Sequence, residues 1–393
     1  MQPIYILGAK RTPLGNLQGA LSSVSAPQLG ATAIKAAMQQ ANITPDMAEE
    51  VIMGCVLQAG IGQAPARQAS LAAEIPNNVG ATTVNKMCGS GMKATMLAHD
   101  LIQSGTNDIM IAGGMESMSN APYLLNKARS GYRLGHGQLF DHMFLDGLED
   151  AYQKGNLMGV FADKCADKYQ FSRQAQDEFA IASLQRAQTA DEKGYFTNEI
   201  AAVSFETRDG EQTVAHDENP QKANAEKIPK LKPAFNKDGT VTAANASSIS
   251  DGAAALVLAS EDYVKQHQLK PIAKIIGHST FAQAPEWFTT APVGAIKKLL
   301  DQINWQITDV DLFEINEAFA VVTMAAMKDL NIPHKKVNIY GGACALGHPI
   351  GASGARILVT LINALQQTGG KKGIAALCIG GGEATAVAIE IIE

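Results

Sequence analysis

The stretch ATTVNKMCGSGMKATMLAHDLIQSGTNDIMIAGGMES, residues 81–117, contains the repeating unit of the fold. A β-prone segment leads into small residues, after which Met92, Met96 and Ile102 have the spacing of one face of an amphipathic helix. Gly105 suits the position just after a helix C-terminus, and residues 108–117 are typical of a buried strand. The stretch therefore predicts a strand, a helix and a second strand.

The second half of the chain repeats this order. VNIYGG (337–342) and GASG (351–354) echo VNKMCGSG, and AALCIGGGEA (375–384) echoes DIMIAGGMES. Because β-rich and Ala-rich helical segments also alternate elsewhere, the sequence predicts an α/β protein built from two duplicated halves. Chance similarity between glycine-rich segments is the alternative.

The region between the repeats has a different character. It contains an aromatic, irregular stretch, a polar-faced helical stretch at residues 172–194, and a charged stretch interrupted by proline at 206–239. We interpret it as an inserted, exposed loop domain. The expected regions are an N-terminal half at residues 1–118, the loop domain at 119–249 and a C-terminal half at 250–393.

Composition excludes several classes of function. The 393-residue chain is 46% hydrophobic and carries a formal charge of -6 without a dense basic block, so we expect no nucleic-acid partner. No uncharged apolar stretch approaches the roughly 20 residues that cross a membrane. Lys10 and Arg11 follow the first apolar run rather than precede it, which is the wrong order for a secretion signal. We expect a soluble cytoplasmic protein.

Motifs for bound metals and cofactors are missing from the sequence. GxGxxG, GxxxxGK[ST], CxxC and HExxH do not occur, so we predict no metal site and no tightly bound cofactor. The cysteines are odd in number and scattered, which argues against disulfides; they are Cys55, Cys88, Cys165, Cys344 and Cys378.

Cys88 has two readings from its position alone. If the helix begins at Gly89 or Ser90, the thiol lies at a helix N-terminus, where free amides and the helix dipole favour the thiolate. A free cysteine is equally often a small buried apolar residue. Position alone does not separate a nucleophile from a core residue.

Three further polar groups lie at predicted strand ends or in a glycine-rich loop. His348 lies in GGACALGHPIGASG, where the glycines allow close backbone approach, and it is the candidate base for Cys88. Cys378 ends a predicted strand just before Gly380, whose free amide suits an oxyanion. Asn316 lies at the end of another predicted strand, where an ordinary turn or helix cap is the alternative. Together these residues are more than chance placement predicts, although each alone is a weak signal.

At these residues the sequence resembles the thiolase family, over residues 4–393. Four motifs carry the resemblance: TTVNKMCGSGMKA at Cys88, FEINEAFA at Asn316, VNIYGGACALGHPIGASGAR at His348 and LCIGGGEA at Cys378. The resemblance implies a thiolase-like α/β fold with two duplicated βαβαβαββ halves in a five-layered αβαβα core and an inserted loop domain. It also implies a homotetramer made of two tight dimers.

The resemblance further implies ping-pong condensation of two acetyl-CoA to acetoacetyl-CoA and free coenzyme A, and the reverse cleavage. Cys88, activated by His348, becomes an S-acyl-cysteine, and Cys378 takes a proton from the methyl group of the second acetyl-CoA. His348 with a water held by Asn316 forms one oxyanion hole, and the amides of Cys88 and Gly380 form the other.

Coenzyme A thioesters are the implied substrates, and five positions match the family's binding residues: Leu148, Met158, Ser247, Ala318 and Phe319. Two residues depart from the short-chain type, which commonly has His at the position of Leu157 and Gly at that of Ala244. The short loop domain and GASGAR favour the short-chain biosynthetic type. A 3-ketoacyl-CoA thiolase of broader chain length, acting in fatty acid β-oxidation, is the alternative, and a non-catalytic acyl-CoA or lipid-binding protein is an alternative of a different class.

Overall fold

The computed structural model describes residues 2–208 and 210–392, which contain fourteen strands. The strands are Ile4–Arg11 (β1), Gly15–Asn16 (β2), Glu50–Gly54 (β3), Gly80–Val84 (β4), Ile109–Ser117 (β5), Tyr123–Leu125 (β6), Leu139–Asp141 (β7), Val203–Thr207 (β8), Gly210–Val214 (β9), Ser250–Ser260 (β10), Ala273–Ala282 (β11), Leu312–Ile315 (β12), Lys372–Ile379 (β13) and Glu383–Ile391 (β14).

The α-helices of the described residues number eleven. They are Ala26–Ala41 (α1), Pro65–Ala72 (α2), Ser90–Gln103 (α3), Met158–Tyr169 (α4), Arg173–Glu192 (α5), Glu218–Lys222 (α6), Glu261–Gln266 (α7), Ala291–Ile303 (α8), Ala320–Leu330 (α9), Ala343–Leu346 (α10) and Ser353–Thr368 (α11). A short π-helix spans Phe144–Leu148. The predicted order of strand, helix and strand over residues 81–117 is confirmed as β4, α3 and β5.

Two halves with the same strand order form one continuous sheet. The N-terminal half runs β4-β3-β5-β10-β1, and the C-terminal half runs β12-β13-β14-β11 with Val337 bridging the outer edge of β12. In both halves the two outer pairs are parallel and the two inner pairs are antiparallel. The first strands, β1 and β11, pair antiparallel over Ile4–Ile6 and join the halves. This symmetry confirms the predicted duplication.

The helices complete a five-layered αβαβα arrangement. Helices α1 and α2 cover the outer face of the N-terminal half, and α8 with α9 covers the outer face of the C-terminal half. Helices α3 and α11 pack against each other between the N-terminal part and the C-terminal part of the sheet. Both belong to the largest apolar cluster. The amphipathic helices bury their apolar sides on the sheet, as expected for a mixed α/β core.

The central helices approach each other through paired glycines. A Cβ atom on Gly91, in the first turn of α3, would lie 2.9 Å from the backbone nitrogen of Ala355. A Cβ on Gly354, in the first turn of α11, would lie 2.4 Å from the backbone nitrogen of Met92. Glycine at both positions lets the two helix N-termini meet at one point between the halves.

The halves differ in how their fourth and fifth strands are joined. In the C-terminal half only Gly380, Gly381 and Gly382 separate β13 from β14. In the N-terminal half residues 118–249 lie between β5 and β10, and the described residues of this segment form four short strands and three α-helices. The predicted polar helix of this segment is confirmed as α5, while its division from the halves at residues 119 and 249 stays a prediction.

Two other sequence expectations concern membranes and disulfides. Within residues 2–208 and 210–392, no helix has the length and apolar character to span a membrane. All five cysteines are free thiols, as predicted, and Cys55, Cys165 and Cys344 are buried.

Candidate active site

A cavity of about 780 Å³ opens where the two halves meet the inserted segment. Its wall brings together four of the predicted catalytic residues from distant parts of the chain: Cys88, His348, Cys378 and Gly380. All five predicted binding residues line it as well: Leu148, Met158, Ser247, Ala318 and Phe319. The wall is mostly apolar, and Cys88, His348 and Cys378 are among the few groups on it that can act as a nucleophile or a base.

Cys88 is held in a tight turn before α3. Met87 adopts φ of 49°, in the left-handed region, and so turns the chain directly before the cysteine. The Ser90 hydroxyl accepts a hydrogen bond from the Lys86 amide (2.8 Å) and donates one to the Met87 carbonyl (2.6 Å). Helix α3 begins at Ser90, which confirms the predicted position of the thiol at a helix N-terminus.

The backbone amides at this position favour the Cys88 thiolate, and burial opposes them. Burial raises the pKa of the Cys88 thiol to about 11 and outweighs the opposing hydrogen bonds from the backbone amides of Gly380 and Cys88. The sulfur packs among apolar side chains that include Leu57, Met143 and Ile350. Desolvation therefore keeps the resting thiol protonated at neutral pH.

His348 is presented by a loop that requires glycine. Gly347 has φ of 116°, and a Cβ there would lie 2.2 Å from the Ser250 hydroxyl oxygen. The His348 amide donates to the Ser248 carbonyl (3.0 Å), which fixes the backbone of the histidine. The imidazole side chain is buried, with 6% of its residue surface exposed.

Hydrogen bonding to Ser353 assigns the two ring nitrogens of His348. The Ser353 hydroxyl donates to the Pro349 carbonyl (3.0 Å), so it accepts from His348 Nδ1, which lies 2.6 Å away. Nε2 is buried without a hydrogen-bond partner among the described residues. Burial, followed by the charge of Arg356, lowers the pKa of His348 to about 3. The ring is therefore neutral, with its lone pair on Nε2.

Asn316 lies behind His348 rather than on the cavity wall. Its Nδ2 atom lies 3.4 Å from His348 Nδ1, and its Oδ1 accepts from Arg356 Nη2 (3.4 Å). Asn316 and Arg356 are buried. The contact with Arg356 sets the orientation of the Asn316 amide.

Cys378 occupies the end of β13 and is only 1% exposed. Burial and the nearby Cys88 sulfur raise its pKa well above the usual range of a thiol. The next turn begins at Gly380, whose amide faces the Cys88 sulfur. The two cysteines and one backbone donor therefore converge at the same end of the cavity.

Glu116 is a buried acid beside this site that the motif search did not single out. Its carboxylate accepts hydrogen bonds from the amides of Val56 (3.0 Å), Leu57 (3.0 Å) and Gly351 (2.8 Å). Burial, only partly opposed by these bonds, raises its pKa to about 7. Glu116 joins a loop of the N-terminal half to the loop that carries His348.

Signals for the unpredicted residues were present but weak. A charged Glu116 inside the otherwise buried strand DIMIAGGMES marks a position that needs polar partners. Ser353 and Arg356 lie in GASGAR, the motif that favours the short-chain type. Leu157 does line the cavity, whereas Ala244 packs against the central core.

The sequence matches two family descriptions along nearly its whole length. Residues 4–262 match "Thiolase, N-terminal domain", and residues 269–391 match "Thiolase, C-terminal domain".

Curated relatives and solved structures point the same way. The chain is 50% identical to acetyl-CoA acetyltransferase 2 of Arabidopsis thaliana, over 99% of this chain and 97% of the relative. It is 46% identical to a cytosolic acetyl-CoA acetyltransferase of Gibberella zeae, over 100% and 99%. The Bacillus anthracis acetyl-CoA acetyltransferase has a similar structure (TM-score 0.97, 41% identity, 100% of this chain and 99% of that one). A thiolase of Ascaris suum in complex with coenzyme A is also similar (TM-score 0.94, 43% identity, 100% of both chains).

Proposed function

The chain belongs to the thiolase family, and we propose that it is an acetyl-CoA C-acetyltransferase that condenses two acetyl-CoA into acetoacetyl-CoA and coenzyme A, reversibly. The observation that carries this proposal is the convergence of Cys88, His348 and Cys378 at one end of a long apolar cavity. The names of the relatives support the acetyl substrate. Coenzyme A thioesters are then substrates and products, and no other cofactor is needed for this chemistry.

The first half-reaction loads an acyl group on Cys88. His348 Nε2, the unpartnered lone pair, takes the Cys88 proton as the sulfur attacks the thioester carbonyl. Because both groups are neutral at rest, the proton moves during the attack rather than before it. The carbonyl oxygen becomes an oxyanion, and the amides of Cys88 and Gly380, which face the Cys88 sulfur, are the donors that would stabilise it. The coenzyme A thiolate leaves and takes the proton back from His348.

The second half-reaction forms the carbon–carbon bond. Cys378 gives its proton to His348 Nε2 and, as a thiolate, takes a proton from the methyl group of a second acetyl-CoA. The resulting enolate attacks the acetyl carbonyl on Cys88, and the Cys88 sulfur leaves and takes the proton from His348. A raised thiol pKa makes Cys378 a strong base once it is deprotonated, and in cleavage the same thiol returns the proton to the departing enolate. We assign the second oxyanion site to His348, which carries a proton on Nε2 during this step, and to a water held by Asn316.

The first test is coenzyme A-dependent cleavage of acetoacetyl-CoA by the wild type and by Cys88→Ala. Because Cys88 forms the covalent intermediate, we expect kcat to fall by roughly 10⁴-fold or more. Cys165→Ala, which removes a buried thiol that does not line the cavity, is the control and should retain activity. A wild-type rate no higher than that of Cys88→Ala would overturn the proposal.

Chain-length preference decides between the proposal and the broader 3-ketoacyl-CoA thiolase. Leu157 lines the cavity where the short-chain type carries a polar residue, and this favours the broader enzyme. In the wild type we expect kcat/KM to be highest for acetoacetyl-CoA. In Leu157→His, the ratio of kcat/KM for acetoacetyl-CoA to kcat/KM for longer ketoacyl-CoA should rise by about tenfold. A wild-type preference for ketoacyl chains of eight carbons or more would favour fatty acid β-oxidation instead.

We also propose the binding arrangement and the assembly. The pantetheine lies against Leu148, Met158, Ser247, Ala318 and Phe319, all of which line the cavity. A homotetramer is supported by the apolar side chains exposed on the β6–β7 hairpin, among them Tyr123, Leu134 and Leu139. A cytoplasmic location is supported by the relative from Gibberella zeae. Light scattering on the purified protein tests the tetramer.

A further inference from the structure

Three ligand-type side chains meet on the surface between the two halves, away from the cavity. His99 and Asp100 lie in the last turns of α3, and His278 lies in β11. Asp100 Oδ1 lies 3.1 Å from His99 Nδ1 and 2.8 Å from His278 Nε2. The two imidazole rings pack edge to face, with centroids 5.0 Å apart. The cluster therefore spans the junction of the N-terminal and C-terminal halves.

The spacing of these atoms is close to that of ligands in a metal site. One donor atom from each of the three side chains lies within 4.8 Å of the others. Ligands bonded at about 2.0–2.1 Å to one tetrahedral zinc ion lie a little over 3 Å apart, so small side-chain shifts bring all three into reach. Half of the Asp100 surface is exposed, which leaves a path for the ion and room for a water as fourth ligand.

Metal binding would replace two hydrogen bonds in this cluster. His99 Nδ1 and His278 Nε2 both face Asp100 Oδ1, so each must give up its proton and present a lone pair to bind an ion.

We propose that His99, Asp100 and His278 bind a divalent transition metal of the zinc type and that the metal clamps α3 to β11. Two imidazoles and one carboxylate form a ligand set that zinc and cobalt accept, whereas magnesium and calcium prefer oxygen ligands alone. No member of the cluster lines the active-site cavity. The metal would therefore stabilise the junction between the halves and take no part in the acyl transfer.

Cobalt binding to the chelator-stripped, full-length protein tests this site, because tetrahedral cobalt has a strong visible absorption. The variants are His99→Gln and His278→Gln. His216→Gln is the matched control, because His216 also contacts an aspartate, Asp191, at 2.7 Å but belongs to no three-residue cluster in the described chain. Cys88→Ser is included because the active-site thiols are a competing metal site.

Loss of a residue that only hydrogen-bonds to a metal ligand lowers metal affinity by about 10–100-fold. Loss of a ligand itself should therefore weaken cobalt and zinc binding by about 100-fold or more. We expect that loss in His99→Gln and His278→Gln, wild-type affinity in His216→Gln and Cys88→Ser, and a metal-dependent rise in Tm that the two ligand variants lack. Unchanged binding in His278→Gln, binding that disappears in Cys88→Ser, or no binding by the wild type would each overturn the proposal. Acyl-transfer activity is not the readout, so the result is independent of the proposed function.

Discussion

The two halves share a strand order and a helix arrangement, yet each supplies a different part of the candidate site. In the N-terminal half the fourth strand leads into residues 118–249, which wall the cavity, and the thiol of Cys88 lies at the entry of a helix. In the C-terminal half a turn of three glycines closes the same two strands and places Cys378 and Gly380 at the strand end. The same arrangement of strands thus carries a cavity wall in the N-terminal half and the backbone amide of Gly380 in the C-terminal half.

The same comparison separates the two cysteines. Cys88 is partly exposed to the cavity, and its sulfur faces two backbone amides. Cys378 is buried at a strand end, within an apolar cluster that includes Phe319. We infer that the helix entry suits a group that becomes covalently acylated, and that the strand end suits a group that only exchanges a proton.

Substitution of each cysteine in turn should have the largest effect, because it separates acylation at Cys88 from proton exchange at Cys378. Cys88→Ala should give no acyl-enzyme by mass spectrometry after incubation with acetyl-CoA. Cys378→Ala should still acetylate Cys88, because this step needs no carbon acid chemistry, while condensation falls by about 10²–10⁴-fold. Failure of Cys378→Ala to form the acyl-enzyme would contradict the division of roles between the halves.

The pH dependence of alkylation by iodoacetamide should distinguish Cys88 from Cys378. Since burial raises the pKa of Cys88 to about 11, the thiolate fraction and the alkylation rate should climb roughly tenfold per pH unit between pH 7 and 9. Cys378 should react more slowly throughout, because it is 1% exposed. Peptide mapping measures both rates, and a plateau for Cys88 below pH 8 would indicate a preformed thiolate.

Ser90 and Ser353, the first residues of α3 and α11, offer a matched pair of substitutions with smaller expected effects. Ser353→Ala removes the acceptor that keeps the proton on His348 Nδ1, so kcat should fall by about 10–100-fold with an altered pH profile and little change in KM. Ser90→Ala only loosens the turn around Cys88 and should leave the shape of the pH profile unchanged. Identical profiles for the two variants would argue against the assigned tautomer.

The glycine contact between the halves should affect stability more than chemistry. Gly354→Ala introduces a Cβ 2.4 Å from the Met92 backbone nitrogen, so we expect a loss of about 1–3 kcal/mol in the free energy of unfolding. Gly80→Ala is the control, because its Cβ would meet only Glu50 Cγ, at 3.9 Å. Chemical denaturation measures both, and equal stability of the two variants would contradict the close approach of α3 and α11.

Much of this arrangement was accessible from the sequence because it follows from local pattern. The repeat of VNKMCGSG predicted the duplicated halves, and the glycine-rich loop predicted that His348 is presented to a ligand. Cys378 and Gly380 could be placed because a buried strand followed by glycines has few other structures. Each of these inferences depends on neighbours within about a dozen residues.

The remainder depends on contacts between distant segments. The raised pKa of Cys88 arises from side chains such as Leu57, Met143 and Ile350, which no local pattern brings together. Glu116 is satisfied by amides from both halves, and His278 meets Asp100 across the domain junction. Such pairings follow from the order of strands in the sheet, which spacing along the chain does not reveal.

The long connection between β5 and β10 has a consequence for synthesis on the ribosome. The N-terminal half cannot complete its sheet until Ser250–Ser260 has been made, because β10 lies between β5 and β1. At about 5–20 residues per second, residues 118–249 delay that closure by roughly 7–26 s. During this interval the edges of β1 and β5 that later pair with β10 are unpaired. Unpaired strand edges can pair with other chains, so the nascent chain is prone to aggregation and suited to binding by chaperones. The C-terminal half, with its three-glycine turn, has no comparable delay.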